Sequence, residues 1–107
     1  MTAEDFRRLA LSMPGAEERS HMGNPDFRVN GKIFATLGGA TGRPVVKLLP
    51  EEQAMLMEAE PDLFTPASGA WGRNGSTHLT LDHIDEATAR DVLGRSYRNV
   101  TASKRRR

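Results

Sequence analysis

The sequence predicts an α+β domain, a two-layer sandwich in which an antiparallel sheet has its helices packed on one face. Three observations predict it. Helical period recurs near both ends of the chain, in the apolar set Phe6, Leu9, Ala10 and Met13 and again in the mainly apolar set Ala89, Val92, Leu93, Ser96, Tyr97 and Val100. Between them, short apolar runs alternate with turn residues, as strands do. The 107 residues suffice for one core and are too few for two. Strands grouped between helices, rather than strictly alternating with them, point away from a parallel α/β sheet.

Taken in order, Thr2 followed by Asp5 reads as a capping box with Met1 placed to staple onto Phe6, so a first helix is expected over residues 3–12. Pro14-Gly15 ends it, because the residue before proline is pushed out of helical space and glycine takes the turn. Residues 17–23 form a short polar stretch of weak strand character, followed by Asn24-Pro25 as a turn. Asn30-Gly31, set between Phe27-Arg28-Val29 and the run Lys32-Ile33-Phe34-Ala35-Thr36-Leu37, is the clearest local signal and predicts a tight hairpin. A two-residue loop sets Phe27 opposite Phe34 and Val29 opposite Lys32, whereas a three-residue bulged loop groups Val29 with Ile33, and the local sequence is compatible with both. Either way Arg28 and Lys47 alternate with apolar neighbours and leave the face packed by the helices.

Residues 38–44 make a glycine-rich connection into Val45-Val46-Lys47-Leu48, a third strand of the meander. Pro50 with Glu51 and Glu52 suits a helix N-terminus, where proline's missing N–H is harmless and anions meet the positive dipole end. Met55, Leu56 and Ala59 form its expected buried stripe, and Pro61 stops it near Glu58. A loop then carries Phe64, Pro66 and Trp71 to a second turn over residues 72–76, and Thr77-His78-Leu79-Thr80-Leu81 alternates as a strand with Leu79 and Leu81 inward. Asp85 caps the last helix, Ile84 staples to Ala89, and Asp91 and Arg95 form an i,i+4 pair. No repeat or low-complexity linker interrupts the chain, so residues 1–102 are expected to be one domain and residues 103–107 a basic C-terminal tail.

Composition removes several function classes. With no cysteine there is no disulfide framework, zinc ribbon, iron-sulfur site or thiol nucleophile. No run of about 18 apolar residues is available to span a bilayer, and no apolar signal core stands at the N-terminus, so a cytoplasmic protein without a membrane partner is expected. Basic residues number 15 against 14 acidic, but Lys104, Arg105, Arg106 and Arg107 account for the excess; without them the body is acidic. The whole-domain footprint of a dedicated duplex binder is absent, so any binding to nucleic acid has to come from local patches.

Catalytic and metal-binding patterns are equally sparse. His21, His78 and His83 carry no His-Glu-x-x-His spacing, no Gly-x-Ser-x-Gly elbow is present, and Ser12, Ser20, Ser68, Ser76, Ser96 and Ser103 read as cap, turn or surface residues. The pairs Glu17-Glu18 and Glu51-Glu52 are adjacent residues that point apart, and the second is explained by the helix dipole. Residues 38–43 lack the Lys-Ser/Thr ending of a phosphate loop and lead into a strand. No catalytic constellation, cofactor or metal is therefore expected. What remains is one arginine on each of two glycine loops, Arg43 and Arg73, with Trp71 just before the second. Arginine beside an aromatic suits phosphate contact plus base stacking; the plainer alternative is a tryptophan capping the core edge with both arginines solvated.

Leu11-Ser12-Met13-Pro14-Gly15-Ala16-Glu17-Glu18, the segment Gly23-Asn24-Pro25-Asp26-Phe27-Arg28-Val29-Asn30-Gly31-Lys32-Ile33-Phe34-Ala35, Val46-Lys47-Leu48, Trp71-Gly72-Arg73-Asn74-Gly75 and Ser96-Tyr97-Arg98 together resemble the MmcQ/YjbR family of small bacterial proteins, which is similar in fold to the frataxin-like CyaY proteins. The resemblance spans residues 2–100. It implies a CyaY-like sandwich and DNA binding through two wing-like hairpins, here residues 38–44 and 72–76, with Arg43 and Arg73 at their tips. Frataxin-type iron handling would need a dense acidic ridge, and Glu4, Asp5, Glu17 and Glu18 are too sparse and too diluted by Arg7, Arg8 and Arg19.

The resulting expectation is a non-enzymatic DNA-binding domain in which Arg28, Lys32, Arg43, Lys47 and Arg73 meet phosphates and Trp71 stacks or anchors. The alternative is a module for a small molecule or protein partner, with a pocket between the exposed sheet face and residues 64–71. Concave geometry around Trp71, His21 and His78 favours the alternative, and a convex positive surface over both glycine loops favours DNA.

Overall fold

The first helix, α1 (Ala3–Leu11), begins at the expected capping box: the Thr2 hydroxyl accepts from the Asp5 N–H at 3.1 Å and the Asp5 carboxylate accepts from the Thr2 N–H at 3.0 Å. These contacts come from a computed structural model that describes residues 1–38 and 43–102. Strands β1 (Glu17–His21) and β2 (Asn24–Val29) follow. The turn between them is Met22-Gly23, both with left-handed backbone (φ 53° and 82°), so the turn predicted at Asn24-Pro25 lies two residues earlier. Pro25 is accommodated near the start of β2, where its carbonyl accepts from the Leu37 N–H at 3.0 Å.

Asn30 and Gly31 (φ 54° and 80°) form the expected tight hairpin into β3 (Lys32–Thr36), and of the two loops the sequence allowed it is the two-residue one, with Val29 opposite Lys32. Phe27, however, lies opposite Ala35 rather than Phe34. An irregularity in the ladder admits one extra residue into β3, and Phe34 and Ala35 are consecutive yet both buried. The bulge thus keeps the two-residue turn while shifting everything beyond it by one position.

The chain continues through β4 (Val45–Lys47), α2 (Pro50–Ala59), β5 (Phe64–Pro66), α3 (Gly69–Arg73), β6 (Ser76–Leu79) and α4 (Glu86–Ala102). The six strands make one antiparallel sheet in the order β1-β2-β3-β4-β6-β5. Helices α1 and α4 cover one face, where Phe6, Leu9, Val92 and Leu93 meet Phe27, Phe34, Val46 and Leu79. Phe6 meets Phe27 edge-on at 6.1 Å between centroids, and Phe34 meets Tyr97 at 5.6 Å. The α+β sandwich read from the sequence is the fold observed.

Four further expectations are corrected. Helix α2 buries none of its residues: Met55 and Ala59 are exposed and Leu56 is half-buried, because the helix lies beside β5 at the sheet edge rather than over the core. The segment expected as a loop holds a strand and a helix, β5 and α3. The second proposed wing is not an open glycine loop, since Gly72 belongs to α3 and Gly72 and Gly75 are buried. A Cβ on either would stand 1.8 Å from a backbone oxygen, that of Ala67 or Leu48, so both are glycines for close packing. Ser96, read as a surface or cap residue, is fully buried on α4. The tip of the first proposed wing, residues 39–42, and the basic tail, residues 103–107, lie outside the described residues.

Candidate ligand-binding groove

Strand alternation decides which side chains occupy the sheet face that α1 and α4 leave open. The register sets Asp26 opposite Thr36, Thr36 opposite Val45, Val45 opposite His78 and His78 opposite Thr65, one row across the sheet. Arg28 with Ile33, and Lys47 with Ser76, form the next row on the same face, two residues along each strand except β3, where the bulge makes it three. Above these strands lies a concave groove of about 770 Å³. Its floor includes Val45, Lys47, Ser76 and His78; Trp71 on α3 forms one wall, and His21 and Met22 at the β1–β2 turn form the other. Trp71 is presented here because Gly72 packs against the Ala67 backbone, while the Gln53 side-chain amide donates to the Gly72 carbonyl at 3.0 Å, fixing α3 to α2.

Beside this groove a charged triad is assembled on the open face. Asp26 is 0% exposed, and Arg28 grips its carboxylate with a fork, Nε to Oδ1 at 2.7 Å and Nη2 to Oδ2 at 3.0 Å. Nδ1 of His21 lies 2.7 Å from Oδ2. The hydrogen bonds from Arg28 hold the Asp26 carboxyl below its ordinary value; burial works in the other direction and the His21 contact adds to the lowering. With Nδ1 engaged, Nε2 is the ring nitrogen His21 has left for the groove.

His78, on the floor, is pushed below the ordinary histidine value by burial first and by the positive charge of Arg43 second, against the Pro44 carbonyl. Its buried Nδ1 has no hydrogen-bond partner among the described residues. Lys47 is held through its backbone, whose N–H donates to Ser96 Oγ at 2.8 Å and whose carbonyl accepts from Asn99 Nδ2 at 3.0 Å. Its side chain is exposed and pairs with no carboxylate among the described residues. The described lining of the groove contains no carboxylate at all.

The six residues assigned from sequence to nucleic-acid contact are therefore not all gathered. Trp71 and Lys47 share the groove. Arg28 is on the same face with its guanidinium committed to Asp26. Lys32 sits beside the turn of the β2–β3 hairpin, outside the groove lining, and Arg73 is exposed on α3 without lining it. Arg43 borders a separate hollow of about 230 Å³ with Thr80 and Asp82. His21 and His78 do line the groove with Trp71, the geometry that favours the alternative reading. Met22 carried no signal in the sequence. Among the described residues, no three acidic, histidine or cysteine side chains converge as metal ligands, and no helix is long and apolar enough to cross a membrane.

Comparison with known proteins adds three findings. The YjbR family model matches residues 11–99, a span that contains every groove residue named above. The crystal structure of Deinococcus radiodurans protein DR2400, described as family-model domain DUF419, is similar over 94% of this chain and 78% of that chain, with a TM-score of 0.78 and 22% sequence identity. At that identity the likeness shows a shared fold and nothing of function. Among curated proteins none matches the chain.

Proposed function

The chain belongs to the YjbR family, and from that premise and the concavity of its open sheet face we propose that it is a binding module for a small, flat, anionic organic molecule. The observation that carries this reading is the groove of about 770 Å³ walled by Trp71 and His21 and floored by Lys47 and His78. Its size falls within the range of small-molecule sites, roughly 300–1,000 Å³. Trp71 is 76% exposed, an area of aromatic surface that the fold leaves unburied and a flat ring would cover. Lys47 supplies a cation where no lining carboxylate among the described residues competes for it.

Trp71 is the chain's single tryptophan, so its fluorescence reports directly on the groove. Anilinonaphthalene sulfonate, an aromatic anion with a flat naphthalene face, is expected to bind saturably at one site and quench Trp71. A Trp71→Ala chain, followed by the probe's own emission, should bind at least about tenfold more weakly. Binding that does not saturate, or that is indifferent to Trp71→Ala, overturns the reading.

A second reading has its own support, the presence of unpaired Lys47 and exposed Trp71 in one groove, which suits a phosphate and a stacked base of single-stranded nucleic acid. Against a duplex footprint stands the dispersal of Lys32, Arg43 and Arg73 away from the groove. An oligothymidine titrated against Trp71 fluorescence discriminates. Nucleic acid requires affinity that falls with salt, with a log-log slope of about −0.7 per phosphate neutralised; no binding even at about 50 mM salt, the low end of the usual range, removes DNA and RNA from consideration.

A further inference from the structure

Met22 occupies a position that folding does not explain. It is the first residue of the tight β1–β2 turn at φ 53°, where glycine or asparagine is accommodated at lower cost, and its side chain is 94% exposed. The core gains nothing from it. Met22 and Trp71 are the two most exposed large apolar side chains among the described residues, and both line the same groove. They approach it from opposite sides, Met22 from the β1–β2 turn and Trp71 from α3 beside β6. Between them run β2, β3, β4 and β6, which at about 4.8 Å per strand is a span of about 15 Å. A single ring lying on Trp71 leaves the Met22 end empty. Lys47, on β4, falls between the two in strand order, with no lining carboxylate among the described residues to neutralise it.

We infer that the groove takes an elongated organic monoanion carrying two linked rings, one stacked on Trp71, the other against the Met22 thioether, with its anionic group at Lys47. The inference rests on the groove reading above and names the ligand class. Each end of the groove contributes the surface suited to a ring: the tryptophan face by offset stacking, the thioether by its flexible, polarizable contact with an aromatic edge. One unpaired ammonium on the lining calls for one anionic charge. The neutral side chains of Asn74, Thr36 and Ser76 along the same lining offer hydrogen bonds to the linker without adding charge.

Three probes test this on the full chain: anilinonaphthalene sulfonate with two linked ring systems, naphthalene sulfonate with one, and phenylnaphthylamine with both rings and no charge. The native chain should prefer the first to each of the others. Met22→Gly should weaken the two-ring anion about fivefold, leave the one-ring anion unchanged, and keep or raise thermal stability because glycine suits the turn. Lys47→Gln should erase the preference for the sulfonate over the uncharged amine. If Met22→Gly leaves the two-ring anion unaffected while Trp71→Ala weakens it, the elongated ligand is wrong and the groove reading stands. If neither substitution matters, the groove reading itself fails. A Met22→Gly chain that melts at lower temperature than the native one assigns Met22 to folding and overturns the inference.

Discussion

Asp26 is the buried carboxylate of the described residues, and its survival there depends on the fork of Arg28 and the ring of His21. A charge removed from water is tolerated only when its partners replace the lost hydration. Its folded-state carboxyl titrates below the ordinary value of 3.8, with Arg28 as the main cause. As pH falls through 3.8 the unfolded chain takes up a proton that the folded chain does not yet bind, so acid favours unfolding. This contribution to stability is complete above the ordinary value and disappears as pH drops through the depressed one. Asp26→Asn should therefore cost about 2 kcal/mol at neutral pH in urea unfolding, and should flatten the acid limb of stability against pH. Only the face of Arg28 was legible: with Asn24-Pro25 read as a turn and the strand begun at Phe27, Asp26 was left off the strand, whereas β2 starts at Asn24 and sets the two on one face. The role of His21 was not, because its approach to Asp26 depends on the pairing of β1 with β2, and the β1 segment carries no apolar alternation to announce that pairing.

At the scale of elements, the strong local signals and the weak ones diverged for identifiable reasons. The capping box at Thr2 and the Asn30-Gly31 turn rest on contacts between residues two or three apart, and both formed as read. The bulge at Phe34 did not announce itself, because admitting one more residue to β3 is a choice made by the helices that pack over it. The glycines near α3 were misread for a related reason, since glycine serves flexibility in one setting and close backbone approach in another. The two uses give opposite mutational outcomes. Gly75→Ala places a Cβ 1.8 Å from the Leu48 carbonyl oxygen at φ 112° and should cost about 3 kcal/mol or more, to the point of preventing folding. Gly31→Ala meets no atom within 4 Å and bears only the backbone strain of φ 80°, about 1 kcal/mol. Chemical denaturation of the two variants side by side checks the contrast.

Across the whole molecule, the buried hydroxyl of Ser96 joins the helical layer to the sheet. It donates to the Phe34 carbonyl, 62 residues away, and accepts from the Lys47 N–H, 49 residues away, at 2.8 Å. Phe34 and Lys47 would be the next pair in the β3–β4 register beyond Ala35 and Val46, so this hydroxyl completes a ladder that the bulge interrupts. Ser96→Ala should cost about 2 kcal/mol by leaving two buried backbone groups unpaired, and should accelerate amide hydrogen exchange at Lys47. The same strand carries the Lys47 side chain into the groove, so probe affinity should fall with it. By itself the sequence determined the α+β class, the two terminal helices, the central hairpin and the face on which Arg28 and Lys47 stand, because periodicity, capping and turn sterics act among residues close in the chain. Only tertiary structure decided that Arg28 is spent on Asp26, that Arg43, Arg73 and Lys32 fall outside the groove, and that Met22, Lys47 and Trp71 face one concavity. Those outcomes follow from strand order and register, which join segments as far apart as His21 and His78 through the shared burial of the opposite face.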